Sequence, residues 1–417
     1  NIPLLTLGII WGVLRFFYAG ISDDAFITFR YAKNLINGEG FVFNPGEYVY
    51  GTTAPLFGLW SALGMLTGFK PWTWVMIWDV VWCFLILWRL QQIMESIGLR
   101  KWFPVSGLLI VGASMDTLPV AGMETGLYLF ITFSVLSGAM RERFQCTFFL
   151  WIALALMLRP DGILAPLAML PHLFHRRDDL LTALRRNLWC VAVCVFLLVA
   201  YFSFVLYSFG TLIPNSMTAK AAVSAEAPAQ GQFWYVQLWS YWTWYGYPHL
   251  IAMAGVAGIF ILLIKRPDSP LALYYILYLL FFSMGGAPTF LWYHQPLYIL
   301  NYIFAAQFVA FLFQLVEKKT EAPSWFHNYK IVIGTCVLLL LYAPQAWIYG
   351  IIHYRVAQIA GIRTNQKSYE DAGRWLKQNT PPEATVAAHE IGIIGYFSDR
   401  RIIDLEGLVS PQVVKLK

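Results

Sequence analysis

The stretch Ile21 to Arg30 (ISDDAFITFR) follows directly on a mostly apolar run of about 20 residues, Asn1 to Gly20. A helix of that length spans the ~30 Å hydrocarbon layer of a membrane. Asp23 and Asp24 are therefore expected where a membrane helix ends. Two adjacent carboxylates at a lipid boundary cost free energy unless cations, hydrogen-bond donors or a reaction use them. The pair predicts a functional site; the alternative is that Ser22 and the two aspartates only cap the next helix.

Composition indicates a membrane protein with many helical spans. Of the 417 residues, 59% are hydrophobic and 12% are charged, and the mean hydropathy is +0.58, whereas soluble domains carry about 25% charged residues. The 18 Trp and 23 Tyr residues predict interfacial belts and a groove for an amphipathic ligand. The net charge of +6 comes from short basic loops, which are typical of a chain oriented in a bilayer and not of a nucleic-acid binder.

Eleven apolar runs are candidate transmembrane helices. They lie near 3–20, 73–88, 103–119, 123–140, 145–158, 161–174, 188–208, 246–264, 270–284, 296–316 and 331–348. Every second loop is basic, and such loops face the cytoplasm. We therefore expect an all-α polytopic integral membrane protein with about 11 transmembrane helices.

Two further helices are expected not to cross the membrane, one from charge parity and one because it is amphipathic. Ala54 to Gly68 is apolar, but it is only about 15 residues long and opens with Pro55. If it spanned, the basic loop Arg89 to Lys101 would lie outside, against the positive-inside rule. We therefore expect juxtamembrane helices at Ala54 to Gly68 and at about Ala25 to Ile36, both within the first outer loop, 21–72.

The C-terminal part differs in composition from residues 1–348, which form the expected transmembrane domain. Residues 349–417 are expected outside the membrane as a small α/β tail, with a helix at Ser368 to Gln378. Ala384 to Ala388 and Arg401 to Leu405 are predicted strands around Ile391 to Phe397. Because the sequence begins at Asn1 without Met, we expect it to be a piece of a longer protein.

Polar clusters beside the apolar runs all fall on the outer side in this topology. Convergence on one face favours a single extracytoplasmic site. The members singled out, besides the aspartate pair, are Arg30, Glu124, Arg159, Asp161, Asn215, Lys220, His294, His389 and Glu390.

Each candidate also has a structural alternative. Arg159 can extend along the helix to the interface, and Glu124 can stabilise the N-terminus of the following helix. His294 can be a satisfied interfacial histidine, and Lys220 can be a solvated loop residue. His389 and Glu390 resemble a metal or acid–base pair but lack the spacing of further ligands.

The five cysteines lie in apolar segments. Cys190 and Cys194 have helical i,i+4 spacing without a nearby His or carboxylate. We expect buried thiols and no metal site.

Several blocks resemble the C-type (GT-C fold) polyprenyl-phosphate-sugar-dependent glycosyltransferases, in particular the mycobacterial terminal β-arabinofuranosyltransferases and their bacterial homologues. The first-loop block is specific. It consists of DDAFITFRYA (23–32), GFVFNPGE (40–47) and GTTAPL (51–56). Similar blocks are GMET (122–125), RPDG (159–162), LIPNS with AK (212–216, 219–220), HEIG (389–392) and IDLEGL (403–408).

The resemblance implies an inverting transfer of arabinofuranose, or of another pentose or hexose, with a first-loop aspartate as base. Asp23 is the first candidate for the base and Asp24 for the group that orients it, and the exchanged roles fit almost as well. Arg159, Lys220, His294 and Arg30 are candidate partners of the donor phosphate.

Expected partners are a polyprenyl-phosphate-linked sugar donor, a cell-envelope glycan, lipid or protein acceptor, and the bilayer of the inner (plasma) membrane, with the site facing the periplasm. No cofactor is required for such a transfer, and paired carboxylates also suit a divalent cation. Two other classes remain open. A transporter or flippase of polyprenyl-linked sugars would carry polar groups across both leaflets, and a non-catalytic scaffold would not depend on the aspartate pair.

Overall fold

The structure is a computed structural model that describes residues 2–113, 121–226, 243–244, 247–248, 250–284, 291–319, 324–348 and 353–416. Helices dominate these residues. In the membrane-embedded part and its loops they are α1 (Ile2–Tyr18), α2 (Asp23–Ile36), α3 (Pro55–Leu66), α4 (Pro71–Ser96), α5 (Phe103–Ala113), α6 (Thr125–Met140), α7 (Cys146–Leu158), α8 (Leu164–His175), α9 (Arg177–Arg186), α10 (Leu188–Phe209), α11 (Asn215–Glu226), α12 (Leu250–Lys265), α13 (Pro270–Met284), α14 (Leu291–Lys319) and α15 (Ser324–Ile348). Thr243–Trp244 (β1) and Tyr247–Pro248 (β2) form a short antiparallel pair.

The apolar helices are those of a membrane protein. Within the described residues, the segments Pro71–Ser96, Leu188–Phe209 and Trp292–Lys318 are long and apolar enough to cross a bilayer by length and composition. Every one of the eleven apolar runs overlaps a described helix. The number of spans, about 11, stays a prediction.

Helix α10 lies at the outer surface of the helix bundle. It is apolar around its whole circumference, and Trp189, Phe196 and Tyr207 are 88%, 69% and 93% exposed. A helix with that pattern is stable where its surroundings are apolar as well. The core lies on the other side, where α1 packs on α4, α4 on α6 and α12 on α14.

The first loop contains the two predicted helices, as α2 and α3, which pack against each other. Pro55 occupies the first turn of α3, where the missing N–H of proline costs nothing. Ser22 precedes α2 with extended backbone, but its side chain makes no capping hydrogen bond. The predicted capping role of Ser22 is therefore not seen.

The tail is a βαβ unit preceded by a long helix. It comprises α16 (His353–Asn379), β3 (Thr385–Ala388), α17 (Gly392–Ser398), β4 (Arg401–Asp404) and a final turn, α18 (Pro411–Val414). The strands are parallel, with Thr385 opposite Arg401 and Ala388 opposite Asp404. The predicted strands and the intervening helix are confirmed. The predicted helix at Ser368 to Gln378 is the C-terminal half of a longer one.

The tail packs on the first loop, with α17 against α2. Phe26 of α2 meets the rings of Tyr396 and Phe397, with centroids 5.6 and 5.8 Å apart. The side chain of Asn44 both donates a hydrogen bond to the main chain of Ile402 in β4 and accepts one from it. Its Nδ2 donates to the carbonyl of Ile402 at 2.9 Å, and its Oδ1 accepts the Ile402 N–H at 3.0 Å. Asn44 thus satisfies main-chain groups of β4 that would otherwise be buried without partners.

One expectation about the cysteines is wrong. Cys146 and Cys190 form a disulfide, with Cα atoms 5.6 Å apart. They meet because each lies in the first turn of its helix and α7 packs on α10. Cys83 and Cys194 are buried free thiols, as expected.

Candidate active site

A short parallel bridge brings the end of α1 next to the segment that precedes α6. The N–H of Ser22 donates to the carbonyl of Ala121 at 3.0 Å, and the N–H of Ala121 donates to the carbonyl of Gly20 at 2.9 Å. Glu124, three residues further on, is thereby held near the first turn of α2. The bridge joins the aspartate pair with the GMET cluster, as the convergence of polar groups predicts.

A small cleft opens at this junction. Five segments that are distant in sequence contribute to it: α2, the loop before α3, the turn before α6, the start of α11 and the start of α14. The tail adds one residue. The walls of the cleft are formed by Asp24, Ile27, Thr28, Gly51, Thr52, Thr53, Met123, Glu124, Ser216, Lys220, Trp292, Tyr293 and Leu408.

Asp24 and Lys220 line the cleft from different helices. Burial raises the pKa of Asp24, and the positive charge of Lys220 opposes that rise. The Nζ of Lys220 also donates to the Tyr293 hydroxyl at 3.3 Å and lies 5.6 Å from the centroid of that ring. A carboxylate, an ammonium group and an aromatic ring therefore share one polar cleft.

Ser216 is a further polar group of this cleft. It lies one helical turn before Lys220, so both side chains are on the same face of α11. Ser216 is 3% exposed, and its Oγ has no hydrogen-bond partner among the described residues. A buried hydroxyl without a partner costs about 1–3 kcal/mol. The free energy is recovered if a ligand in the cleft supplies the partner.

Arg159 lies behind the cleft and supports its wall. Its Nε and Nη2 donate to the two carboxylate oxygens of Asp161 at 2.9 and 3.0 Å. Its Nη1 is 3.5 Å from Glu124 Oε1, and the side chain of Arg159 is 3% exposed. The guanidinium also lies over the rings of Tyr128 and Tyr293, 4.5 and 5.1 Å from their centroids. Arg159 therefore holds Glu124 and Tyr293, which line the cleft, and does not line it itself.

Asp23 faces the tail. Its Oδ2 accepts the N–H of Gly392 at 2.8 Å, and its Oδ1 accepts the N–H of Ile393 at 2.8 Å. Burial raises the pKa of Asp23 to about 7, although the two main-chain hydrogen bonds act in the opposite direction. Glu390 is hydrogen-bonded to the same carboxyl, and burial together with the nearby Asp24 raises its pKa as well.

Arg30 and Asn215 also bind the tail. The Nη2 of Arg30 donates to the carbonyl of Arg400 at 2.6 Å. The Nδ2 of Asn215 donates to the carbonyls of Gly407 and Leu408 at 2.7 and 2.8 Å. Neither side chain lines the cleft. The structure thus places both in the contact between the tail and the rest of the protein.

Neither of the two candidate histidines lines the cleft. The Nδ1 of His389 is 2.9 Å from Glu406 Oε1, and this pair is exposed on the tail. His294 stacks on Tyr298 within α14, with ring centroids 5.9 Å apart. In the described part of the chain, no group of three or more His, Cys, Asp or Glu side chains is arranged to hold a metal ion.

Comparison with known proteins reveals an architecture shared with two membrane enzymes. ArnT from Cupriavidus metallidurans, in a crystal structure bound to undecaprenyl phosphate, aligns with 99% of this chain and 88% of its own, with a TM-score of 0.59 and 14% identity. The oligosaccharyltransferase AglB from Archaeoglobus fulgidus, in complex with an inhibitory peptide and a dolichol-phosphate, aligns over 96% of this chain, with a TM-score of 0.60 and 12% identity. The chain spans 64% of the length of AglB.

The chain has the GT-C fold. At identities of 14% and 12% the likeness concerns the fold alone. A family model described as "Domain of unknown function (DUF8728)" matches residues 357–417, which include the βαβ tail. A search of curated proteins finds no match.

Sequence reasoning did not single out several polar residues in or near the cleft. Ser216 belongs to the LIPNS block, but only its helical spacing to Lys220 indicates that it shares the cleft. Arg15 and Asp79 form a buried ion pair between α1 and α4, with Arg15 Nε 2.6 Å from Asp79 Oδ2. The pair lines a second, smaller cavity, and Trp292 borders both this cavity and the cleft. The sequence signal for this pair is a charged residue within each of two apolar runs, Arg15 in 3–20 and Asp79 in 73–88.

Proposed function

We propose that this protein is a membrane glycosyltransferase that moves a sugar from a polyprenyl-phosphate donor to a hydroxyl group of an acceptor, with Asp24 as the general base. The observation that carries the proposal is the placement of Asp24 and Lys220 in one cleft beside the aromatic ring of Tyr293. A transfer of this kind needs a proton acceptor at the incoming hydroxyl and a cation at the leaving phosphate.

The environments of the two aspartates favour Asp24 as the base. Both carboxylate oxygens of Asp23 accept main-chain hydrogen bonds from the tail, and this side chain does not line the cleft. Asp24 lines the cleft, where an acceptor hydroxyl can approach. Burial raises the pKa of Asp24 and of Asp23 alike, so the position in the cleft, and not the pKa, favours Asp24.

Lys220 is the proposed partner of the donor phosphate. As the acceptor oxygen bonds to the anomeric carbon, its proton passes to Asp24 and the bond from that carbon to the phosphate oxygen breaks. The electron pair of the broken bond stays on the phosphate, which leaves as polyprenyl phosphate. Its charge is stabilised by the ammonium group of Lys220. Displacement in one step from the opposite face inverts the anomeric configuration.

Tyr293 and Ser216 complete the proposed donor site. The ring of Tyr293 lines the cleft and is held by the cations of Arg159 and Lys220, 5.1 and 5.6 Å from its centroid. The Oγ of Ser216 supplies a hydrogen bond to a phosphate oxygen or a sugar hydroxyl.

The donor class and the location are further parts of the proposal. ArnT and AglB are bound to undecaprenyl phosphate and dolichol-phosphate respectively, which supports a polyprenyl-phosphate donor. Arabinofuranose, or another pentose or hexose, and a glycan, lipid or protein acceptor of the cell envelope follow from the first-loop resemblance. The alternation of basic loops supports a plasma-membrane protein whose cleft faces outward.

The test is a transfer assay with the purified protein in lipid vesicles. Mass spectrometry of co-purified lipid first identifies the carried polyprenyl phosphate, and synthetic polyprenyl-phosphate pentoses and hexoses are then supplied with a soluble hydroxyl acceptor. We expect glycosylated acceptor and free polyprenyl phosphate in equal amounts, and their loss in Asp24→Asn. Movement of labelled donor between leaflets without either product would instead show a flippase. A parallel assay with EDTA shows whether a divalent cation assists Lys220.

A further inference from the structure

The tail contacts the first turn of α2 through main-chain groups. Gly392 and Ile393 both donate to the carboxylate of Asp23. The approach is so close that a Cβ at position 392 would lie 1.9 Å from the Asp23 carbonyl oxygen and 2.8 Å from Oδ2. Only glycine fits between the two segments. The contact therefore fixes the turn that also carries Asp24.

Three more contacts hold the tail along the length of the first loop. Arg30 donates to the carbonyl of Arg400, and Asn44 exchanges two hydrogen bonds with Ile402. Lys33 forms an ion pair with Asp399 at the C-terminal end of α17. Because partners are spread over α2 and the loop after it, the tail cannot pivot on the Asp23 contact alone.

The same tail also holds the opposite wall of the cleft. Asn215, the first residue of α11, donates to the carbonyls of Gly407 and Leu408. The N–H of Asn215 donates to the carbonyl of Tyr50 in the first loop at 2.7 Å. Asn215 directly precedes Ser216 and lies five positions before Lys220. Its contacts therefore set the start of the helix that carries the cation.

We propose that the tail is the positioning element of the active site, with Asp23 as the residue through which it orients Asp24. The start of α17 binds α2, which carries the proposed base Asp24. The loop after β4 binds α11, which carries Lys220. The tail therefore sets the distance between these two helices. This assigns a role to the region that matches a domain of unknown function. The proposal rests on the proposed function, because it names the residues through which that reaction is organised.

A double-mutant cycle of Asp23→Asn and Gly392→Ala tests the proposal. Asn at 23 replaces one acceptor oxygen with a donor group, and the added methyl at 392 forces the two segments apart. Misplacement of a reacting group by about 1 Å costs about 100-fold in rate. We expect each variant to lower kcat roughly 10- to 100-fold with little change in the KM for the donor. The double variant should be no slower than the slower single variant, since both changes remove the same contact.

Amide hydrogen exchange of residues 392–398 supplies a readout besides activity. Asp23→Asn and Gly392→Ala should both accelerate exchange there. Glu383→Gln is the matched control: it makes the same carboxylate-to-amide change at an exposed residue of the tail and should leave both kcat and exchange unchanged. If Gly392→Ala fails to fold, the kcat and the hydrogen exchange of Asp23→Asn alone still test the proposal. A loss of kcat with unchanged exchange would place Asp23 in the chemistry and overturn the proposal.

Additive losses in the double variant would also overturn it. The proposed function fails by a different result, which is full activity of Asp24→Asn. An active Asp24→Asn together with an inactive Asp23→Asn would thus reject both the base assignment and the positioning role.

Discussion

The membrane side of the cleft, where Asp24 lies, and the tail side, where Asp23 lies, surround their charged groups with different kinds of partner. On the membrane side, charged side chains meet other side chains: Lys220 faces Asp24, and Arg159 joins Glu124 with Asp161. On the tail side, the carboxylate of Asp23 is bound by backbone N–H groups. Side chains can exchange partners when a substrate arrives, whereas main-chain donors of a βαβ unit stay where the fold places them. The difference fits the proposed division of roles, in which Asp24 takes part in the transfer and Asp23 fixes the geometry.

The largest effect is expected from Arg159→Ala, which would leave Glu124 and Asp161 buried without their cation. Breaking a buried ion pair by removing one partner costs about 3–5 kcal/mol. We expect a large loss of thermal stability in detergent, measured by the unfolding midpoint. The control is Arg176→Ala, whose ion pair with Glu142 is exposed and contributes about 0–1 kcal/mol. Equal midpoints in the two variants would contradict a supporting role of Arg159.

Lys220→Met should raise the KM for the donor. A hydrogen bond to a charged group contributes about 1.5–3 kcal/mol, so the rise should be roughly 10- to 100-fold. Lys220→Arg keeps the charge and should restore most of the affinity. Steady-state kinetics with a polyprenyl-phosphate sugar measure both. Because Lys220 also stabilises charge on the leaving phosphate, kcat should fall as well. Unchanged KM and kcat in Lys220→Met would remove Lys220 from the phosphate site.

The pH dependence of stability distinguishes Asp23 from the charges around it. Its pKa rises from 3.8, the ordinary value of an aspartate side chain in water, to about 7 in the folded protein, so the folded state binds more protons between these values. The stability that protonated Asp23 contributes is therefore lost as the pH rises through about 7. Asp24 on the same helix turn, Glu390 on the tail and Tyr369 on α16 surround this carboxyl. Unfolding midpoints at pH 5 and pH 8 should differ less in Asp23→Asn than in the wild type, and an identical difference would refute the assignment.

Ser216→Ala should give the smallest change. One neutral hydrogen bond contributes about 0.5–1.5 kcal/mol, which corresponds to a roughly 2- to 10-fold rise in the KM for the donor. Because the Oγ has no partner among the described residues, the substitution should not lower stability. Lower stability with an unchanged KM would show that Ser216 is structural.

Much of the fold follows from local sequence. The apolar runs predict helices because the bilayer imposes their length, and the first-loop helices follow from charge parity. The strands around Ile391 to Phe397 follow from local pattern. Each of these predictions depends on residues that are close together in the chain.

The division of roles within the site could not be predicted. Asp23 and Asp24 are chemically identical neighbours, and only the approach of Gly392, 369 positions away, separates them. The contact of Asn215 with Gly407 and Leu408 spans nearly half of the chain. Sequence patterns report which residues can do chemistry. The tertiary fold decides which of them reaches the cleft.

Single-turnover kinetics of Asp23→Asn and Asp24→Asn, with a saturating polyprenyl-phosphate sugar and a hydroxyl acceptor, test the central claim most directly. If Asp24 is the base, Asp24→Asn slows sugar transfer by about 10²- to 10⁴-fold, the usual contribution of general base catalysis. Asp23→Asn should slow transfer less, because it displaces Asp24 but leaves the carboxylate of Asp24 in place. A slower Asp23→Asn, with Asp24→Asn near the wild-type rate, would contradict the claim and make Asp23 the base.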